Sequence, residues 1–118
     1  MTPTKRSRSW LKSRDIENQI VERWNSFAKV RQDLFGFCDI VALCGGIMAI
    51  QVTSGDNVSK RVQKIFDEPR AKTWLAHGGL IEIHGWRKIG PRGKRKTWQL
   101  RRVAITLDCG AMVEVEVE

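Results

Sequence analysis

Three polar residues of the types that bind divalent cations flank a glycine pair in the most apolar part of the chain. Asp39 precedes one apolar run, and Gln51 and Thr53 end the next. The dipeptide Gly45-Gly46 between the runs predicts a β-hairpin, because the residues of such a turn need positive φ. Burying an acid or an amide there costs free energy unless each has a partner. That partner is either a metal ion or an ordinary hydrogen-bond network.

The predicted hairpin brings these polar groups together. We predict strands over Ile40–Leu43 and Ile47–Val52. Because residues two apart on a strand point to the same face, the polar pair of the second strand projects together, and Asp39 across the turn can reach it. The backbone carbonyl of Val52 lies between that pair. Oxygen ligands of this kind suit Mg²⁺, which can polarise a phosphate and activate water.

Length and charge limit the class of protein. The chain has 118 residues, which suits one domain spanning residues 1–118, and 42% of them are hydrophobic. Its net charge of +8 favours a polyanionic partner, nucleic acid before membrane, since no long basic amphipathic helix is evident. No apolar run approaches the ~18 residues of a membrane span, and no secretory signal is evident. A basic protein without such a partner is the alternative.

Cysteine and histidine usage indicates no further chemistry. Cys38, Cys44 and Cys109 are odd in number and lack CxxC spacing. Such a set favours neither a disulfide framework nor a zinc site, and it indicates a reducing, cytoplasmic location. We expect all three to be small buried hydrophobes. We expect His77 and His84 to be structural or surface groups rather than general bases.

Other elements must position the hairpin. Residues 1–14 are basic and form either a short capped helix or a flexible arm. Apolar spacing predicts a helix directly after the hairpin, and Pro69 can begin a second one. Alternating residues then predict two long strands. The predicted elements are the helices Val58–Phe66 and Arg70–His77, the strands Leu80–Ile89 and Trp98–Leu107, and an edge strand or tail over residues 111–118.

The segment Asp15–Val30 is ambiguous. Its apolar residues have helical spacing, whereas QIVERW at Gln19–Trp24 is short, β-branched and aromatic, and a turn signal follows it. Pattern alone favours a helix there. Lys29–Phe37 is predicted to be a loop.

The turn between the last two long strands lies in the most basic part of the chain, which contains no acid. We predict that this region contacts nucleic-acid phosphates. Trp86 and Trp98 flank it, and they form either a cross-strand pair in the core, which we favour, or platforms for an unpaired base. The basic residues are Arg87, Lys88, Arg92, Lys94, Arg95, Lys96, Arg101 and Arg102.

The segments FCDIVAL around Asp39 and IMAIQVTS around Gln51 resemble the motifs of the PD-(D/E)XK nuclease superfamily. The resemblance is to its small Holliday-junction-resolvase-like and phage-type members, and it spans Gln19 to Leu107. It implies an α/β, restriction-endonuclease-like core with a central mixed β-sheet flanked by helices. It also implies a strand before the aspartate hairpin, so we predict Gln19–Trp24 to be a strand.

The resemblance further implies a Mg²⁺- or Mn²⁺-dependent endonuclease that hydrolyses phosphodiester bonds of branched or structured DNA. The second motif of the superfamily is an acid, any residue and then lysine. Here Gln51 stands for the acid, with an oxygen that can still bind a metal, and Thr53 stands for the lysine. We expect Lys60 or Arg61, on the following helix, to supply the missing positive charge.

Asp39 alone would hold a metal ion weakly. We therefore expect Asp33 or Glu22 to supply a second carboxylate. Two alternatives remain, a degenerate protein of the same fold that only binds nucleic acid and a basic adaptor for an acidic protein. Resolvase-like relatives usually pair, which makes a homodimer through residues 111–118 one option.

Overall fold

A computed structural model describes residues 1–118 and shows an α/β architecture, with a mixed six-stranded sheet that has helices on both faces. None of its helices has the length and apolar character needed to cross a membrane. The helices are α1 (Pro3–Ser13), α2 (Val58–Phe66) and α3 (Pro69–Ala76), with a 3₁₀ turn at Gly55–Asn57 before α2. The strands are β1 (Asn18–Ile20), β2 (Arg23–Asn25), β3 (Val30–Gln32), β4 (Ile40–Leu43), β5 (Ile47–Ser54), β6 (Leu80–Ile89), β7 (Thr97–Asp108) and β8 (Ala111–Val117).

The sheet has the strand order β1-β4-β5-β6-β7-β8. Strands β5 and β6 are parallel, and α2 and α3 form the crossover between them. All other neighbours in the sheet are antiparallel. The short strands β2 and β3 form a separate hairpin. β8 lies at one edge, which settles the prediction for residues 111–118 in favour of a strand over a tail.

The glycine hairpin is confirmed. Leu43 pairs with Ile47 across the turn, and Gly45 has a φ of 68°, which a residue with a Cβ rarely adopts. β5 runs to Ser54 and is therefore two residues longer than predicted, ending at Ser54 instead of Val52. The extension places Thr53 inside the strand.

Each face of the sheet has its own core. α1 packs Leu11 against Ile40 and Ile50 on one face. On the other face, α2 packs Val62 and Ile65 against the sheet. The Thr2 hydroxyl accepts a hydrogen bond from the Lys5 amide at 3.2 Å and so caps α1, which confirms the helix and excludes the flexible arm.

The single strand predicted over Gln19–Trp24 is wrong. β1 ends at Ile20, and the amides of Val21 and Glu22 then donate to the Asp39 carbonyl at 2.9 and 3.3 Å. These bonds turn the chain towards β2, which pairs with β3. β3 lies inside Lys29–Phe37, the segment predicted to be a loop. Asn25 fixes the turn of this hairpin, because its side-chain oxygen accepts two backbone N–H groups.

Two further predictions about buried side chains are wrong. Trp86 is buried, but Trp98 lies opposite Lys88, remains 41% exposed and stacks on the Arg6 guanidinium at 3.8 Å. The two tryptophans are therefore not a core pair. Cys38 is buried as predicted, whereas Cys109 is exposed because it lies in the tight turn between β7 and β8.

Candidate functional site

Asp39 and Gln51 lie side by side on the sheet face covered by α2. Asp39 stands immediately before β4, and its Oδ2 accepts a hydrogen bond from Gln51 Nε2 at 2.6 Å. The same oxygen accepts the backbone N–H of Val52 at 2.8 Å. Val52 therefore contacts Asp39 through its amide, not through the carbonyl that the sequence suggested as a ligand. Both side chains are buried, at 4% and 2% exposure for Asp39 and Gln51.

Two more carboxylates complete a cluster with Asp39. One oxygen each from Glu22, Asp33 and Asp39 lies within 4.8 Å of the others. Glu22 lies between β1 and β2, and Asp33 follows β3. The β2–β3 hairpin that the sequence did not predict is thus the element that brings both carboxylates to the buried aspartate. Asp33 and Glu22 are partly exposed and Asp39 is buried beneath them.

The acids of this cluster differ in their affinity for protons. Burial, a hydrogen bond with Asp33 and the charges of Asp33 and Glu22 raise the pKa of Asp39 to about 8. Burial also acts on Asp33, but hydrogen bonds from Asp39 and Lys64 and the charge of Lys64 lower its pKa overall. At neutral pH, Asp39 therefore holds a proton that it shares with the Asp33 carboxylate.

Lys64 on α2 supplies the nearest positive charge, and sequence reasoning missed it. Its Nζ lies 2.8 Å from Asp33 Oδ2 and 3.3 Å from Gln51 Oε1. Lys60, which the sequence predicts for this role, is exposed and makes no hydrogen bond to the carboxylates. Positions 60 and 64 are one turn apart on α2 and share a face, so helical spacing alone does not separate them. Lys64 is distinguished by its contact with Asp33, which no local pattern of the sequence indicates.

Arg61 occupies the other predicted position. Its Nε donates to Thr53 Oγ1 at 3.4 Å. Thr53 is buried on the same face as Gln51, as the strand period predicts, and its hydroxyl positions Arg61. Thr53 makes no contact with the three carboxylates, so its place in the site is indirect.

A basic groove of about 800 Å³ opens in front of Asp33. Asp33 is the only acid that lines it. The sequence predicts Arg61 as a DNA contact, and Arg61 lines this groove. The other basic residues of the groove were not predicted, because they come from β2, β3 and the two crossover helices. The basic side chains of the groove are Arg23, Arg31, Arg61, Lys64 and Arg70.

The β6–β7 hairpin forms a separate basic surface. None of its predicted DNA-contacting residues lines the groove at Asp33. Arg87 and Arg101 line a smaller cleft beside Gly55, and Arg101 Nε pairs with Glu116 at 2.8 Å. Arg102 lines the same cleft and donates to Glu82 at 3.0 Å. The remaining residues of this prediction are exposed around the turn, and they are Lys88, Arg92, Lys94, Arg95 and Lys96.

The donor set at the carboxylate cluster fits a hard divalent cation. The three carboxylates and the Gln51 Oε1 atom are oxygen ligands of the kind that Mg²⁺ and Mn²⁺ prefer. The hydrogen-bond donors to Asp39 Oδ2 are uncharged groups of Gln51 and Val52, so no protein cation compensates this carboxylate directly. A metal ion could replace the proton on Asp39 and balance the negative charge that this carboxylate then carries.

Comparison of the chain with protein-family models, with curated proteins and with solved structures finds no match. The interpretation of the site therefore depends on its own geometry and charge. That geometry combines a buried carboxylate that holds a proton, two neighbouring carboxylates, an ammonium group and a groove with five basic side chains.

Proposed function

We propose that the chain is a divalent-metal-dependent DNA endonuclease that hydrolyses phosphodiester bonds. The observation behind this proposal is the convergence of Glu22, Asp33 and Asp39 beside a groove lined by basic side chains. Carboxylates in a positively charged groove are costly for binding DNA alone, because they repel phosphates. A divalent ion held by them turns that repulsion into attraction.

The order of elements supports a restriction-endonuclease-like core. An antiparallel hairpin bearing Asp39 and Gln51 is followed by a helical crossover and a parallel strand, β6. The resemblance of the two sequence motifs implies this order. The two motif positions are direct neighbours in the fold, at 2.6 Å.

The side chains divide into two roles in this proposal. Asp39, Asp33 and Glu22 would hold Mg²⁺ or Mn²⁺, with the Gln51 oxygen as a further ligand. The bound ion would polarise the phosphate and lower the pKa of a water molecule. Lys64 supplies the positive charge that the motif lacks, near enough to stabilise negative charge developing on the phosphate oxygens.

The arginines of the groove bind the DNA around the reacting phosphate. Arg23, Arg31 and Arg61 present guanidinium groups that neutralise phosphates and fix the position of the backbone. Arg31 also lies 3.6 Å from Glu22, so it connects the groove to the carboxylates. Contacts of this kind do not distinguish base sequence.

A second candidate is a DNA-binding protein of the same fold without cleavage activity. The observation that favours it is the Lys64–Asp33 pair at 2.8 Å, which neutralises one carboxylate without a metal. Gln51 at the acid position also removes one negative charge relative to the superfamily motif. In this case the groove binds DNA and the carboxylates only position Lys64.

A cleavage assay on plasmid and branched DNA with Mg²⁺ or Mn²⁺ separates the two candidates. The endonuclease predicts metal-dependent cutting that Asp39→Asn abolishes. Asn keeps the acceptor for Gln51 and Val52 and can donate to Asp33 as the protonated acid does. DNA binding measured without metal is the control and should not change. Binding without any cleavage by the wild type would support the second candidate.

A further inference from the structure

An apolar pocket of about 460 Å³ opens beside α3. The rings of Phe35 and Trp74 and the side chain of Ile47 form its apolar lining. His77 lies at the end of α3, and its Nδ1 contacts the Thr73 carbonyl at 2.8 Å. The pocket has the size and the apolar walls of a small-ligand site.

This pocket adjoins the basic groove. Phe35 and Arg70 line both of them. Phe35 is two residues from Asp33, one of the clustered carboxylates. A molecule lying in the groove beside Asp33 therefore meets the opening of the aromatic pocket.

The two rings are held in fixed positions. Trp74 Nε1 donates to the Leu80 carbonyl at 2.8 Å, and buried Phe37 packs edge-on against its ring at a centroid distance of 6.0 Å. Phe35 has a φ of 53°, which is unfavourable for a residue with a Cβ. The turn nevertheless presents this ring, 45% exposed, at 6.2 Å from Trp74.

Building on the proposed function, we propose that this pocket receives one unpaired base of the DNA strand bound in the groove. Its aromatic and apolar walls suit a base, whereas the guanidinium groups of the adjoining groove attract the phosphates on either side. The aromatic rings can stack on any base, because every base has a π-face. Arg70, which lines both cavities, lies where the backbone would pass from one to the other. The favoured substrate is a duplex with an extrahelical base.

Binding of two duplexes tests this inference. One is fully paired and the other carries a single unpaired base, both with the same number of phosphates, and Kd is measured without divalent metal. Wild type should bind the second about tenfold more tightly, as expected for one base–aromatic stack. Phe35→Gly should lose that preference, so that its Kd values for the two duplexes become equal. Glycine tolerates the positive φ of this position, which offsets part of the packing lost with the ring, and a thermal unfolding curve checks that the variant is folded.

Phe27→Ala is the matched control, because Phe27 is 99% exposed in the β2–β3 turn and lines neither the pocket nor the groove. It should keep the preference for the unpaired base. Equal affinity of the wild type for the two duplexes would overturn the inference and leave the proposed endonuclease intact. A Phe35→Gly variant that keeps the tenfold preference for the unpaired base would also overturn it. Failure of the wild type to bind either duplex would contradict the proposed function itself.

Discussion

Two buried polar clusters lie on opposite faces of the sheet, and they differ in how their charges are balanced. On the α1 face, Trp86 Nε1 donates to Ser7 Oγ at 2.8 Å, and that hydroxyl lies 2.9 Å from His84 Nδ1. His84 Nε2 lies 3.2 Å from Glu82 Oε1, which also accepts Arg102 Nε at 3.0 Å. On the α2 face, three carboxylates meet with one ammonium group among them.

The α1-face cluster is complete without any ligand. An ionised carboxylate only accepts, so the His84 Nε2 hydrogen points to Glu82, and Nδ1 can accept the Ser7 hydroxyl. Each donor then has an acceptor, and the Glu82 charge faces the Arg102 guanidinium. Ser7 and His84 are 0% exposed, so no substrate can reach this serine–histidine–glutamate series. Residue types alone suggest catalysis here, whereas burial and charge balance indicate a tether for α1.

The largest effect that separates the two clusters is expected on cleavage. Removal of the charge by Asp39→Asn should lower the rate by about 100-fold or more, as expected when a charged group at the reacting centre is removed. The matched change on the other face, Glu82→Gln, should leave the rate of the folded enzyme within about threefold of wild type. Rates measured on branched DNA with Mn²⁺ test both. Equal decreases in the two variants would refute the assignment of different roles.

The next largest effect is expected on stability, where Glu82→Gln should be more damaging than Asp39→Asn. Glu82→Gln leaves Arg102 and His84 without the carboxylate that they share, which should cost about 1.5–3 kcal/mol of the free energy of unfolding. Asp39→Asn replaces a protonated acid by an amide of the same shape and should cost less. Urea denaturation of the metal-free proteins at pH 7 gives both values. A Glu82→Gln variant as stable as wild type would show that the α1-face network contributes little.

A pH series sharpens the contrast. The pKa of Asp39 is about 8 in the folded protein and 3.8 in the unfolded chain, so between these values the folded state binds the additional proton. Stability therefore falls as pH rises from 4 towards 8, by at most about 1.4 kcal/mol per pH unit, and becomes flat above that range. The lowered pKa of Asp33 acts in the opposite direction. Its contribution to the stability of the protein is lost as pH falls below the pKa of Asp33 in the unfolded chain.

Asp39→Asn lacks the titrating group, so its stability relative to wild type should increase between pH 4 and pH 8. Denaturation curves at matched pH values measure that difference. Mg²⁺ should reduce this stability advantage of Asp39→Asn, because the metal displaces the proton from the wild-type carboxyl group and so stabilises the wild type. A constant difference across this range would mean that Asp39 is ionised in the metal-free protein.

Sequence reasoning identified the parts whose cause is local. Gly45-Gly46 specifies the hairpin, and the strand period then brings Asp39 to Gln51. It missed the β2–β3 hairpin, because three-residue strands give too short a pattern to distinguish from a helix or a loop. Lys64 was missed because a lysine on the edge of a helix is usually solvated, and its contact with Asp33 joins residues 31 positions apart.

The basic surfaces show the same limit. A run without acids indicates a partner only by its charge, so the 87–102 region was chosen as the DNA contact. The arginines of the groove are dispersed along the chain and converge only in the fold. The convergence of these arginines therefore depends on tertiary contacts that no sequence window contains.

The smallest effect expected is on the salt dependence of DNA binding. Charge removal from the groove by Arg23→Gln and Arg61→Gln should lower the slope of log Kd against log salt by about 0.9 for each phosphate that the variant no longer neutralises. The matched change in the β6–β7 turn, Lys94→Gln with Lys96→Gln, removes the same charge from exposed positions away from the carboxylates. The turn variant should change the slope less than the groove variant, because the proposal places the DNA backbone in the groove. Fluorescence anisotropy at several salt concentrations without divalent metal measures both slopes. A larger change for the turn variant would place the DNA on the β6–β7 hairpin, far from the acids, and would leave the three carboxylates without a substrate.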